Sequence, residues 1–146
     1  MIKKTKEYQP NISELIDMLS ILQIKEVKSK KNLKNIKNQI SNIKDNLNFL
    51  LKRKKNKLNS KMIRKIFLVS IINLLVWQLK DDMLLETKKY NKYLKKALEL
   101  NTIRNSVFNL MMKNFDEFDE TRIRTETLCK TNRNWHKILI KSVKNL

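Results

Sequence analysis

Apolar residues recur at alternating spacings of three and four along a first long stretch of this chain. Only two polar residues interrupt the pattern, whose positions are Ile12, Leu15, Leu19, Leu22, Glu26, Ser29, Leu33, Ile36, Ile40, Ile43, Leu47 and Leu50. Such spacing is typical of the buried stripe of a helix that pairs with another helix. It predicts one helix over about 12–55, capped by Asn11 or Ser13 and preceded by a basic lead, residues 1–10.

A second stretch keeps its phase for even longer. Its positions are Met62, Lys65, Val69, Ile72, Val76, Leu79, Met83, Glu86, Tyr90, Tyr93, Ala97, Leu100, Arg104, Val107, Met111, Asn114 and Phe118. This pattern predicts a helix over about 61–118. We expect a bend at about 56–60, where Asn56, Asn59 and Ser60 supply turn and cap chemistry. A single continuous helix is the alternative, because no Gly or Pro forces a stop.

These patterns predict an all-α fold. We expect a long antiparallel coiled-coil helical hairpin over residues 11–118, followed by a C-terminal helix over 119–146. The acidic residues at 116–120 suit the start of that last helix, where the helix dipole favours carboxylates. The whole would form part of a larger helical bundle with partner chains.

The beginning of the second helix is apolar on all sides, which predicts an interface. A hairpin of two helices cannot cover so much apolar surface, so a partner chain or the C-terminal helix folded back should cover it. The residues that we expect at the interface with a partner are Ile63, Phe67, Ile71, Leu74, Trp77 and Trp135.

Charged and aromatic residues within the two stripes need separate explanations. A lone buried charge costs several kcal/mol, so the charged positions require either a counter-charge or a local opening of the helix pair; they are Glu26, Glu86 and Arg104. The aromatic positions are expected in the core rather than free to stack on bases; they are Tyr90, Tyr93 and Phe118.

Composition removes several classes of function. The chain has 146 residues, no Gly and a single Pro, so glycine-rich phosphate-binding loops are excluded. Cys129 and His136 are the only cysteine and histidine, which rules out an intrachain disulfide and a metal site with several Cys or His ligands. No reaction is indicated, and we expect neither a cofactor nor an enzyme.

The same composition bears on location. The longest uncharged run, residues 66–79, is shorter than the roughly 20 residues that cross a bilayer, and the N-terminus lacks the apolar core of a secretory signal. We therefore expect an intracellular protein, cytoplasmic or nuclear, without a membrane span. A membrane-surface helix over residues 63–77 is a weaker alternative, because this segment continues directly into the second stripe.

A formal net charge of +19 suggests acidic partners. The bias toward residues with A/T-rich codons, with alanine only at position 97, inflates the lysine count and reduces the weight of this charge. Candidate anion-binding lysines form rows beside the stripes: Lys30, Lys34, Lys37, Lys44, Lys88, Lys92 and Lys95. The sequence predicts a non-enzymatic subunit that assembles with helical chains, as a homo- or hetero-oligomer. The alternative is a nucleic-acid-associated protein whose lysine rows bind phosphates.

Overall fold

The computed structural model describes residues 9–29, 31–53, 58–124 and 141. Within these residues all regular secondary structure is helical, which confirms the all-α part of the predicted fold. Its elements are α1 (Ile12–Lys28), α2 (Leu33–Arg53), α3 (Ser60–Leu85), α4 (Tyr90–Asn114) and two short 3₁₀ turns, Thr87–Lys89 and Glu120–Arg122.

Helix α1 begins with a reciprocal cap, as its sequence predicts. The Asn11 side chain accepts a hydrogen bond from the backbone N–H of Glu14 at 2.8 Å. In return the Glu14 carboxylate accepts one from the backbone N–H of Asn11 at 2.8 Å. This capping box satisfies backbone donors that have no partner inside the helix. It confirms Asn11 as the first cap of the fold.

The single helix expected over 12–55 is wrong, because the chain breaks after Lys28. Asn32 adopts the left-handed conformation with φ of 61°, which asparagine tolerates better than most residues other than glycine. The break follows the two polar interruptions of the first stripe, Glu26 and Ser29. Lys25 and Ile36 line one cavity and Leu15 and Leu50 line another. Helix α2 therefore folds back antiparallel along α1.

The single helix expected over 61–118 is also wrong. Helix α3 ends at Leu85, and Glu86 adopts a non-helical conformation. Its carboxylate accepts hydrogen bonds from the Lys89 ammonium and, at 2.8 Å, from the Tyr93 hydroxyl. The chain reverses through the 3₁₀ turn, and α4 returns along α3 in the most extensive helix contact among the described elements.

The link between α2 and α3 is described in part. Residues 54–57, which include most of the expected bend, lie outside the described residues. Leu58 and Asn59 are not helical, so the alternative of one continuous helix is wrong. Asn59 caps α3 as predicted by accepting a hydrogen bond from the Met62 N–H at 3.0 Å.

The helices pair differently from the expected hairpin. The observed hairpins are α1–α2 and α3–α4, and α1 joins them by contacting both α3 and α4. Among the described residues, α2 packs against α1 and makes no close backbone contact with α3 or α4. The stripes still supply most of the core, which includes Ile12, Leu15, Leu22, Ile36, Ile43, Leu47, Met62, Val69, Ile72, Leu100, Val107 and Met111.

Two aromatic residues expected in the core lie at the surface. Tyr90 starts α4 with 47% of its surface exposed, and Phe118 is also 47% exposed. The Lys113 ammonium lies 5.3 Å from the centroid of the Phe118 ring. Both positions continue the heptad count beyond a helix end, where the count no longer predicts burial.

The C-terminal helix expected over 119–146 falls almost entirely outside the described residues. Within them, α4 ends in a Schellman motif. Glu117 N–H donates to the Met112 carbonyl at 2.8 Å, and Asp116 N–H donates to that of Lys113 at 3.2 Å. Asp116 has φ of 53°, so an aspartate takes the place that glycine usually occupies. Only the 3₁₀ turn Glu120–Arg122 and Lys141 are described as helical beyond this motif.

Candidate interaction surface

Helix α3 carries large apolar side chains on the side that faces away from the core. Met62, Val69 and Ile72 are buried against the other helices. At helical spacing on the opposite side lie four exposed residues, which we call the α3 outer face: Ile63 (43% exposed), Phe67 (64%), Ile71 (53%) and Leu74 (47%). Single exposed apolar residues are ordinary, but a contiguous row of them is typical of a surface that contacts another molecule.

The outer face contains four of the six residues predicted at a partner interface. Trp77, the fifth, is partly buried and lines an open cavity of about 650 Å³ between α1, α2 and α3. Lys28 and Asp81 line the same cavity and form an ion pair at 2.5 Å. Trp135, the sixth, lies outside the described residues. The structure therefore brings four of the residues together and places Trp77 beside them, while their contact with a partner stays a prediction.

Helix α3 is also long and apolar enough to cross a membrane, judged by length and composition alone. The uncharged run considered in the sequence covers residues 66–79, whereas the helix itself extends from Ser60 to Leu85. Only 28% of the most apolar part of the helix is buried within the protein. Core helices of soluble proteins share this composition. The contacts of the inner face therefore decide whether α3 is better explained as a core helix or as a membrane span.

A cluster of cations occupies the first turns of α3. Lys61 and Arg64 are exposed, whereas Lys65 is 2% exposed. Burial, together with repulsion by Lys61, lowers the pKa of Lys65 below its ordinary value. With the Asn114 amide oriented so that its oxygen faces this lysine, Nζ donates to it at 3.0 Å. These three residues were not among the predicted sites, although three cations near a predicted helix start are visible in the sequence.

The predicted lysine rows lie on two separate helical segments. Lys34, Lys37 and Lys44 are exposed on α2. Lys88 is exposed in the 3₁₀ turn Thr87–Lys89, and Lys92 and Lys95 are exposed at the start of α4. Lys30 lies outside the described residues. Because α2 and α4 do not contact each other within the described part of the chain, these rows do not merge into one patch there.

A buried polar network centred on Asp17 holds the inner side of α3. Asp17 is 2% exposed and accepts hydrogen bonds from Arg104 Nη2 at 2.6 Å, Arg124 Nη1 at 2.7 Å and Asn73 Nδ2 at 2.9 Å. Burial opposes ionisation of the carboxyl, but the hydrogen bonds and charges of these partners outweigh it and lower the pKa of Asp17. Asn73 also donates to the Ser20 hydroxyl oxygen at 2.6 Å.

This network supplies a counter-charge for one of the three charged stripe positions. Arg104 has the counter-charge that its position required, which is supplied by Asp17. Glu26 lies near the end of α1, and Glu86 follows the end of α3, so both occur at openings between helices. Asp17 and Arg124 were missed because neither lies on a stripe. A polar residue in an otherwise apolar segment, such as Asn73, was the available signal.

Residues after α4 tie the end of that helix to the beginning of α1. The Glu117 carboxylate accepts hydrogen bonds from the backbone N–H groups of Ile12 at 2.9 Å and Ser13 at 3.3 Å. A carboxylate at a helix N-terminus is favourable, because free N–H groups and the helix dipole are positive there. Part of the acidic cluster expected to start a C-terminal helix thus caps α1 instead, and Asp119 caps the short 3₁₀ turn by accepting from the Thr121 N–H at 2.9 Å.

Arg124 is fixed by its backbone as well as by its side chain. Its N–H donates to Asn109 Oδ1, and its carbonyl accepts from Asn109 Nδ2, both at 3.0 Å. Its guanidinium lies 3.5 Å from the centroid of the Phe108 ring. The buried carboxylate of Asp17 on α1 is therefore bound by a residue whose backbone is itself hydrogen-bonded to α4. This arrangement links α1 to α4 and has a structural role.

Groups suited to chemistry are sparse in the described part of the chain. No cluster of three or more His, Cys, Asp or Glu residues there could hold a metal ion. Cys129 and His136 lie outside it. Comparison with known proteins found no matching family model, no matching curated protein and no matching solved structure.

Proposed function

We propose that this chain is a non-enzymatic subunit of an intracellular multiprotein complex and that it docks onto a helix of another chain through the α3 outer face. The observation that carries this proposal is the row of exposed apolar side chains on α3, opposite a face that is already buried. Coiled-coil-like pairing of α3 with a partner helix would extend the helical packing of the chain into a bundle.

The four side chains of this face supply only part of the energy that specific binding needs, because association itself costs about 4–15 kcal/mol. Fully burying one large apolar side chain contributes about 1.5–3 kcal/mol, so four half-exposed side chains offer on the order of 4 kcal/mol before the costs of association. Neighbouring contacts around Trp77 would add to this. A partner helix that lays its own apolar stripe along this face uses a common recognition mode.

A membrane-spanning role for α3 is less well supported. Its inner face carries the buried Lys65 and the hydrogen-bonded Asn73. Spanning would separate α3 from α1 and α4 and would leave Asn73, near the middle of the helix, without its hydrogen-bond partners on α1. Docking of the outer face onto another protein requires no such rearrangement.

Nucleic-acid binding is the second candidate, because the lysines of α2 and of the α4 start are exposed. Phosphate contacts would make affinity fall steeply with salt concentration, whereas apolar helix pairing depends on salt only weakly. The separation of the two rows on helices that do not touch favours the protein-binding role.

The test is affinity purification of the full-length chain from its own cells, with quantitative mass spectrometry of associated proteins. We expect associated chains at near-stoichiometric amounts, lost in the double variant Phe67→Ser/Ile71→Ser. Val27→Ser and Leu98→Ser are matched controls, since they change exposed apolar residues on α1 and α4. Purification as a monomer without associated chains, or equal recovery with every variant, would contradict the proposal.

A further inference from the structure

The end of the α3 outer face nearest the helix start is unusually positive. Lys61 and Arg64 are exposed there, and neither forms an ion pair with any described residue. The first turn of α3 contains no acidic residue. Helix N-termini ordinarily favour acidic side chains, because the unpaired N–H groups and the helix dipole place positive charge there. These two cations therefore oppose the helix that carries them.

Arg64 lies directly beside the outer face. It follows Ile63, the first residue of that face, and precedes Phe67 by three positions on the same helix. A helix that covers Ile63 and Phe67 must pass close to the Arg64 guanidinium, because residues three and four apart are neighbours on a helix surface. Charge at this end of the partner helix will consequently affect whether it binds.

We propose that the α3 outer face takes an acidic amphipathic helix of a different protein, oriented so that its carboxylates lie beside Lys61 and Arg64. This inference rests on the proposed docking function of that face and adds the charge of the partner and its placement. Carboxylates at this end would pair with Lys61 and Arg64, which have no ion-pair partner among the described residues, and would also interact favourably with the start of α3.

A second copy of the chain fits this surface poorly. Residues 61–80 contain no Asp or Glu. The two carboxylates of α3, Asp81 and Asp82, lie at the far end of the helix, so only an antiparallel copy could bring them to Lys61 and Arg64, and Asp81 already forms an ion pair with Lys28. Each copy also carries a formal net charge of +19, which slows encounter between copies and opposes their contact. Charge complementarity favours a hetero-oligomer over self-pairing through this face.

Two synthetic stapled helices test the inference with the full-length chain. Both peptides, about 18 residues long, would present the same leucine stripe, and they would differ only in carrying Glu or Lys at the flanking positions. Fluorescence anisotropy near about 150 mM salt would measure their affinities. We expect the Glu peptide to bind about three- to tenfold more tightly, the range for a pair of exposed ion pairs.

Variants of the chain separate charge from apolar contact. Lys61→Gln/Arg64→Gln should remove most of the difference between the two peptides, whereas Lys34→Gln/Lys37→Gln, which changes the same number of exposed lysine or arginine charges on α2, should preserve it. Phe67→Ser/Ile71→Ser should weaken both peptides. Circular dichroism would confirm that each variant is folded.

Several results would overturn the acidic partner. These are equal binding of both peptides, tighter binding of the Lys peptide, absence of binding by the Glu peptide, or a difference that survives Lys61→Gln/Arg64→Gln. Sedimentation that shows a homodimer lost in Phe67→Ser/Ile71→Ser would assign the face to a second copy instead. Binding to vesicles of anionic lipid that depends on Phe67, without binding of the Glu peptide, would assign it to a membrane surface. The proposed function itself is judged separately, by the loss of associated chains in the purification.

Discussion

The two faces of α3 differ in how they are covered, although both are rich in large apolar side chains. On the inner face Val69 and Ile72 are buried, and Asn73 donates a hydrogen bond to the buried Asp17. On the outer face Phe67 is 64% exposed, and the flanking cations are unpaired within the described residues. The comparison teaches that apolar content alone does not identify the intramolecular core. The buried face is distinguished by polar anchors that fix how the helices fit together.

The largest effect is expected from placing the same charge on adjacent residues of the two faces. Ile72→Asp removes a buried apolar side chain, at about 2–5 kcal/mol, and adds an unpaired buried charge at several kcal/mol more. The sum approaches the total stability of a typical domain, about 5–15 kcal/mol, so we expect this variant to unfold. Ile71→Asp, on the exposed side, should change stability by less than about 1 kcal/mol.

Circular dichroism during chemical denaturation measures both variants of the pair. The matched design controls for helix propensity, because both changes replace isoleucine by aspartate in the middle of α3. Similar stability of the two variants would show that the inner face is not more buried than the outer face.

A smaller effect is expected from removing the polar anchor of the inner face. Asp17→Ala leaves Arg104 and Arg124 without their shared carboxylate. We expect a loss of about 3 kcal/mol, the lower end of the range for a broken buried ion pair, because both guanidinium groups keep partial contact with solvent. Asp45→Ala, on the exposed side of α2, is the control and should stay within about 0.5 kcal/mol. Equal losses in thermal unfolding would contradict a special role for Asp17.

Acid should weaken the same anchor more mildly, since protonation keeps the side chain in place. The pKa of Asp17 is lower in the folded protein than the value of about 3.9 expected in the unfolded chain. Its ionised form therefore contributes stability at pH values above about 4, and this contribution is lost as the pH falls through the lower, folded-state pKa. Melting temperature measured from about pH 5 to pH 2 should fall less steeply in Asp17→Asn than in the wild type. Parallel curves would exclude the linkage to Asp17.

A second buried carboxylate should respond in the opposite direction. Glu99 on α4 has 0% exposure, and neither of its oxygens accepts a hydrogen bond from a described residue. Because a buried polar group without partners is unfavourable, Glu99→Leu should raise the free energy of unfolding by about 1 kcal/mol or more. Glu120→Leu, at an exposed position, serves as the control. A loss of stability in Glu99→Leu would indicate that this carboxylate has a stabilising partner.

Much of the core could be predicted from sequence because burial follows helical spacing. Val69, Ile72 and Val107 were all on the predicted stripes and are buried. A stripe states which side of a helix is covered, but it does not state which helix covers it. The expected pairing of one long helix with another therefore failed, while the choice of buried residues largely succeeded.

The two helix breaks were harder to predict because the chain has no glycine. At the first break Asn32 supplies the left-handed conformation, and at the second Glu86 leaves the helix with a negative φ of −118°; both residue types also occur within helices. Ser29 and Glu86 visibly interrupt the two stripes. A polar residue at such a position can pair with a residue of the facing helix, or it can mark the end of a helix, and the sequence does not distinguish these cases. The four apolar residues of the outer face could be selected from sequence. They are large and apolar but lie off the stripe, whose residues already account for the buried side of the helix.

The cap that Glu117 provides for α1 has a consequence for the order in which the chain folds during synthesis. The hydrogen bond from Ile12 to Glu117 joins residues 105 positions apart, and Asp17 receives Arg104 only after most of α4 has left the ribosome. At about 5–20 residues per second, the α1–α2 hairpin is synthesised roughly 3–13 seconds before Glu117 follows it. During that interval the side of α1 that later contacts α3 and α4 is uncovered, so α1 is made well before the residues that complete its packing.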